Sequence, residues 1–388
     1  MDHFVPPHGG KLKPLLLETE ERRAHREEAR GLAAIPMNSR EVSDVIMLGT
    51  GSFSPLEGFM VRKDYEGVVR QMRLSYGTMW PIPVTLAVSR EKASGLKEGQ
   101  RIALLDPERD EVMALMTVEE KFPYDRKGEA RGVFGTEDEA HPGVQKIYEQ
   151  GDVYLGGPVK VLSEGGYPEK YPEYARPRET REIFSRKGWE TVAAFQTRNP
   201  IHRSHEYLTK IAMEVCDGVF IHPIVGKLKE GDIPAEVRMR CYKTIIENYY
   251  PKERVVLNVY PMEMRYAGPK EALLHAIIRQ NFGCSHMIVG RDHAGVGKYY
   301  GPFDAHKIFD QLEPDDLYLQ PLKMDWTFWC SRCESVVSTK TCPHPDSEHL
   351  MISGTELRAM LARGERPPKE FGRPEVMDIL IEYYSQRR

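Results

Sequence analysis

Phe195-Gln196-Thr197-Arg198-Asn199-Pro200-Ile201-His202-Arg203-Ser204-His205 decides how the rest of this chain is read. Ahead of it, Thr191-Val192-Ala193-Ala194-Phe195 is a short apolar run of the kind that forms a buried strand. Behind it, apolar side chains fall at Ile201, Leu208, Ile211, Ala212 and Val215, which is helical spacing. Asn199 is placed to cap that helix, and Pro200 suits its first position because no donor is needed there. The stretch therefore predicts a strand, a polar turn and a helix N-terminus. Such a place suits anions, because free backbone N–H groups and the helix dipole face the ligand. Arg198 adds a fork of donors that matches phosphate or sulfate oxygens. His202 and His205, three residues apart, are neighbours on one helix face. An arginine, two imidazoles and a helix N-terminus are what a nucleotidyl transfer needs, since negative charge spreads over the α-phosphate and the departing pyrophosphate. A lone His-x-x-His is more often a surface or metal-binding pair. The Gln-Thr-Arg-Asn-Pro lead-in at a strand end reverses that preference.

Working outward, residues 188 to about 325 alternate strand and helix. Val219 to Val225, Val255 to Val259 and His286 to Gly290 read as strands. Pro234 to Asn248 and an amphipathic Lys270 to Gln280 read as helices. This predicts a doubly wound, Rossmann-like α/β domain whose ligands bind beyond the carboxyl ends of the strands. Gly290-Arg291-Asp292-His293 follows the last strand, and Ala294-Gly-Val-Gly-Lys298 continues as a Gly-rich loop whose backbone can approach a ligand closely. No Gly-x-x-x-x-Gly-Lys-[Ser/Thr] loop occurs, which disfavours a Walker-type ATPase. Upstream, residues 36 to 165 carry short strand-like runs at Pro81–Val88, Arg101–Leu105 and Glu111–Val118, as in a small barrel. Thr19 to Arg30 reads as a solvated helix of mixed charge. Tyr167 to Arg178, rich in Pro, Tyr and charge, reads as a linker. The expected division is 1–170 (β-rich), 171–325 (nucleotidyltransferase) and 326–388 (a small C-terminal α/β region).

That last region holds Cys330, Cys333 and Cys342, a C-x-x-C with a third Cys, followed by His344 and His349. Three thiolates and an imidazole make a tetrahedral, structural zinc site. His344 would form a tight chelate with Cys342; His349 has more freedom and is preferred on loop geometry. Scattered Cys216, Cys241 and Cys284 complete the six cysteines, a pattern that suits a reducing, cytoplasmic setting better than a disulfide framework. The net charge of −4 gives nucleic acid no global attraction. No apolar run approaches the roughly 18 residues of a membrane span, and the first ten residues lack a secretory pattern.

Gln196-Thr-Arg-Asn-Pro-x-His-x-x-His205 resembles the signature of the ATP sulfurylase (sulfate adenylyltransferase) family. Gly51-Ser-Phe-Ser-Pro-Leu-Glu-Gly-Phe-Met60, Tyr154-Leu-Gly-Gly-Pro-Val-Lys-Val-Leu162, His222 to Asp232, Met264 to Lys270, Tyr300 to Asp304 and Pro367 to Glu375 are similar to further family elements in the same order. The resemblance implies a PUA-like N-terminal barrel, and the missing phosphate loop disfavours a fused adenylylsulfate kinase. It implies the reaction ATP + sulfate = adenylyl sulfate + pyrophosphate, by in-line attack of sulfate on the α-phosphorus. Thr197, Arg198, Asn199, His202 and His205 would be catalytic. Gln196, Arg198 and Asn199 would bind ATP and sulfate, together with Gly290, Arg291, Asp292, His293 and Ala294. Mg²⁺ would accompany ATP, and Zn²⁺ would be structural, on Cys330, Cys333, Cys342 and His349. A homo-oligomer without nucleic-acid or membrane partners is expected. Arg265 and Lys227 are either pocket residues or solvated surface charges. Two rivals stand beside this reading: another His-x-x-His nucleotidyltransferase using a phosphate-ester nucleophile, and an RNA-binding barrel with a zinc knuckle.

Overall fold

In a computed structural model, residues 5–227, 232–352 and 354–386 are described. Residues 228–231, within the stretch His222 to Asp232, and Ser353 lie outside them.

Seven strands build the N-terminal half: β1 (Ala33–Pro36), β2 (Gly58–Phe59), β3 (Leu86–Val88), β4 (Arg101–Asp106), β5 (Glu111–Thr117), β6 (Glu120–Pro123) and β7 (Val153–Val161). Their order is β1-β4-β5-β7-β2, with β3 and β6 also pairing with β7. β1 runs parallel to β4 and the other pairs are antiparallel. β7 serves four partners by dividing its length: β3 and β6 pair with Val153–Gly156, and β2 and β5 with Gly157–Val161. A Cβ on Gly157, whose φ is +150°, would lie 2.0 Å from the Thr117 carbonyl oxygen, so no other residue fits.

The second half is a parallel sheet of β8 (Val192–Phe195), β9 (Gly218–Ile221), β10 (Val255–Leu257), β11 (His286–Val289) and β12 (Gln320–Lys323), in the order β10-β9-β8-β11-β12. Both faces are covered, and successive residues face opposite ways. Val192, Ala194, Phe220, Val256, Met287 and Val289 join the core shared with the N-terminal half. Ala193, Phe195, Val219, Ile221, Val255 and Ile288 join a second core under the helices Arg203–Val215, Ala235–Tyr249 and Pro374–Ser385. The helix Pro269–Asn281 is not amphipathic as expected: every residue from Glu271 to Asn281 is buried, because the helix lies among side chains of both halves. The segment Tyr167–Arg178 is no free linker either. Tyr171 and Ala175 are buried, and Arg176 and Tyr174 both bond Glu164.

A small antiparallel sheet, β13 (Thr327–Cys330), β14 (Ser335–Ser338) and β15 (His349–Leu350), packs against the start of the Arg203–Val215 helix.

Candidate active site

Strand order in the parallel sheet reverses between β8 and β11, and a crevice opens there at the strands' carboxyl ends. The crevice has a volume of about 660 Å³. Gln196, Thr197, Arg198, Asn199, His202 and His205 line it from the β8 side; Gly290 to Ala294 line it from the β11 side. All eleven residues singled out around ATP and sulfate thus meet in one place.

The helix does not begin where the sequence suggested. Residues 196–202 leave β8 as an irregular turn, and the helix starts at Arg203 with His202 in the capping position. Asn199 and Pro200 are therefore not the cap and first residue. The Asn199 carbonyl accepts from the Tyr242 hydroxyl at 2.8 Å and from the Thr197 hydroxyl at 2.9 Å, while the Asn199 N–H donates to that same Thr197 oxygen. These contacts hold the turn open and use up the Thr197 hydroxyl. Arg198 lies over the Tyr266 ring, 5.0 Å from its centroid. No carboxylate stands within ion-pair distance of it among the described residues.

His202 and His205 stack with centroids 3.8 Å apart, between Phe371 on one side and Phe195 on the other. Burial in this column pushes His205 down to about 4, and burial with the neighbouring ring pushes His202 well below its ordinary value. Both are neutral at pH 7. Their Nδ1 atoms and the Gln196 Oε1 are shielded from solvent and have no hydrogen-bond partner among the described residues. Three such atoms on residues of one cleft leave bonding capacity that a polar ligand can complete.

On the opposite wall the turn after β11 places Asp292 and Ala294 in the left-handed region, at φ +53° and +54°. The Asp292 N–H donates to the Pro302 carbonyl at 2.8 Å, and the Ala294 carbonyl accepts from the Gly268 N–H at 3.1 Å, so both ends are fixed. His293 between them bonds His275 at 3.0 Å. Arg291 pairs with Asp292 at 2.7 Å and stacks on Trp326, 3.8 Å from its centroid.

Tyr266, Trp326 and Phe371 were not singled out individually. Their signal was proximity to motif residues or to the chain's end, and only the fold brings them here. Arg265 lies outside the cleft and is no surface charge: it is buried in an ion pair with Asp44, 2% and 3% exposed. Lys227 pairs with Glu108 at the surface, outside the cleft.

Beside the cleft, the Sγ atoms of Cys330, Cys333 and Cys342 and the Nδ1 of His344 all lie within 4.8 Å of one another. The imidazole nitrogen is 3.4, 3.2 and 3.7 Å from the three sulfurs, and Cys333 and Cys342 are 3.8 Å apart. A tetrahedral ion with Zn–S bonds of ~2.3 Å has S···S edges of ~3.8 Å, so the donor set and its size fit zinc. The cluster takes in His344, where the sequence preferred His349. The turn Ser338–Cys342 returns the chain so that Cys342-Pro-His344 lies over the C-x-x-C loop. His349 instead stacks on Phe328, with Nε2 3.5 Å from Cys342.

Comparison with known proteins gives the site a family. A family model described as ATP-sulfurylase matches residues 173–383, and one described as a PUA-like domain matches residues 5–164. A sulfate adenylyltransferase of Desulforamulus reducens is 55% identical over 383 residues, covering 98% of each chain. One of Chlorobium chlorochromatii is 56% identical over 385 residues, covering 98% of this chain and 95% of that one. A solved structure titled hexameric APS kinase from Thiobacillus denitrificans superposes with a TM-score of 0.76 at 26% identity, over 97% of this chain and 68% of that one. Among the described residues no helix is long and apolar enough to cross a membrane. A PUA-like N-terminal domain, a switch-point crevice walled by Gln196–His205 and Gly290–Ala294, and near full-length matches to sulfate adenylyltransferases agree: the chain belongs to the ATP-sulfurylase family, enzymes that transfer an adenylyl group.

Proposed function

We propose that the crevice holds ATP and sulfate side by side and joins them as adenylyl sulfate, releasing pyrophosphate. A sulfate oxygen attacks the α-phosphorus in line; the S–O–P link forms as the bond to pyrophosphate breaks. Sulfate is already ionised, so no general base is required. Arg198, free of any carboxylate, and Gln196 hold sulfate and phosphate oxygens. Thr197 acts through the turn it closes, keeping Arg198 and Asn199 at the cleft. His202 and His205, kept neutral by burial, each offer one N–H to the phosphate oxygens that gain charge. Arg291, Asp292 and His293, with Gly290 and Ala294, cradle the nucleotide. Mg²⁺ arrives on the triphosphate as part of the substrate. Cys330, Cys333, Cys342 and His344 would hold Zn²⁺, which would tie together the hairpin beside the cleft. We also place the protein in the cytoplasm as a homo-oligomer; the hexameric title of the similar structure supports the second point.

The observation that carries this reading is the trio of orphaned buried atoms, on Gln196, His202 and His205, in the same cleft as an arginine that has no carboxylate partner among the described residues. The test is pyrophosphate release from Mg-ATP with and without sulfate, pulled by pyrophosphatase. Release should depend on sulfate, and Arg198→Ala should lower kcat/KM roughly 10²–10³-fold, the usual worth of one lost oxyanion donor. No turnover with sulfate, nor in reverse from adenylyl sulfate, would sink the reading in favour of a phosphate-ester nucleophile.

A further inference from the structure

Behind the cleft wall, His293 leads to two buried polar side chains that the chemistry above does not use. His293 lines the cleft, and its Nε2 is 3.0 Å from the Nδ1 of His275. His275 sits on the buried part of the helix Pro269–Asn281, and its Nε2 faces the Glu271 carboxylate one helical turn away, at 3.5 Å, with no hydrogen bond made there. Both His275 and Glu271 are wholly inaccessible to solvent. Glu271 is itself held: its two oxygens accept the backbone N–H groups of Arg265 and Ala267 at 2.8 and 3.0 Å.

This order fixes where the protons sit. A bare nitrogen lone pair facing a buried carboxylate would be repelled by it, so the His275 nitrogen on the Glu271 side carries the hydrogen. A neutral imidazole has one N–H, so the His275 Nδ1 is bare. The short contact to His293 is then a bond that His293 donates from Nε2. The other charged or titratable groups facing the pair are Arg279 and Arg265 near His275, and Arg279 and His306 near His293. All are cationic or neutral, so none offers His275 a competing anion. We propose that His275 is a positioning residue for His293: together with Glu271 it holds the ring by Nε2–H and leaves Nδ1 as the nitrogen that meets the substrate. The consequence rests on the nucleotidyl-transfer reading of the cleft. His293 accepts through Nδ1 when neutral, and becomes a donor to a phosphate oxygen only by taking up a proton there. Two hydrogen-bonded imidazoles ending on a buried carboxylate need no such alignment for packing alone; apolar side chains of similar size would fill the space at less desolvation cost.

The test separates the alignment from the activity. In full-length protein labelled with ¹⁵N in histidine, the His293 ring, assigned by its loss in His293→Gln, should show a single tautomer with hydrogen on Nε2. In His275→Phe that preference should disappear, kcat/KM for ATP should fall roughly 10–100-fold as for other lost orienting partners, and KM for sulfate should stay within about twofold. Glu271→Gln should move the spectrum and the kinetics in the same direction. A wild-type ring protonated on Nδ1, or a folded His275→Phe with unchanged kcat/KM for ATP, would overturn the proposal. If wild type shows no sulfate-dependent turnover, the functional reading fails, and the tautomer spectra still decide whether His275 positions His293.

Discussion

Gly290 offers the sharpest residue-scale probe of the cleft. A Cβ built on it meets no protein atom within 4 Å, so a methyl group there enters the crevice and disturbs nothing else. Gly290→Ala should keep the unfolding midpoint of wild type while raising KM for ATP several-fold, as denaturant titration beside steady-state kinetics would show. The histidine column makes a second prediction. Burial holds His205 at about 4 and pushes His202 well below its ordinary value, whereas both titrate near 6.5 once unfolded. Between these values the unfolded chain binds more protons, so stability falls as pH drops from 6.5 toward 4 and is fully present above 6.5. The unfolding free energy should therefore decline between pH 7 and 5, and His202→Gln with His205→Gln should flatten that slope. An unchanged slope would remove these rings from the cause. Residue identities were the part of the site most legible in the sequence. Charge, imidazole and glycine in a fixed order state the chemistry before any fold is known. What stayed hidden was the use of each group: the Thr197 hydroxyl is claimed by its own turn, and Arg265 by Asp44, 221 residues away along the chain.

At the scale of elements, the strands that wall the crevice were readable because both faces are buried and their apolar runs are continuous. The helix start was misplaced because Asn-Pro is a strong local signal and Tyr242 overrides it from another helix. The choice between His344 and His349 depended on the path of the chain after β14, which spacing does not specify. The cysteine hairpin ties to the cleft at three points. Trp326 carries Arg291, Trp329 lies under Arg203 at 5.5 Å, and the Thr327 carbonyl accepts from Ser204 at 3.2 Å. Stripping metal with a chelator should speed amide exchange through residues 327–350, expose three thiols to a colorimetric reagent, and raise KM for ATP. His344→Ala should do the same and His349→Ala much less. Equal effects of the two substitutions would restore His349 as the ligand.

Across the whole molecule, the two halves share more than a boundary. The buried Arg265–Asp44 pair spans them, and Ser43 exchanges hydrogen bonds with the backbone of Pro261 and Glu263. Asn281 donates to the Ser52 and Ser54 carbonyls at 2.9 and 3.0 Å. Removing one partner of a buried ion pair strands the other charge, which costs about 3–5 kcal/mol. Asp44→Ala should therefore lower the unfolding free energy by about that amount in denaturant titration, although the residue lies outside the cleft.

The core that joins the halves runs from Ile35 to Leu319. A chain made from its N-terminus at ~5–20 residues per second has the β-rich half outside the ribosome for on the order of ten seconds before its last packing partners exist. During that interval the apolar face later covered by the Pro269–Asn281 helix is open to water and to other chains. Synthesis rate, and the supply of chaperones that shield such faces, thus belong among the conditions that set how much active protein a cell obtains from this sequence.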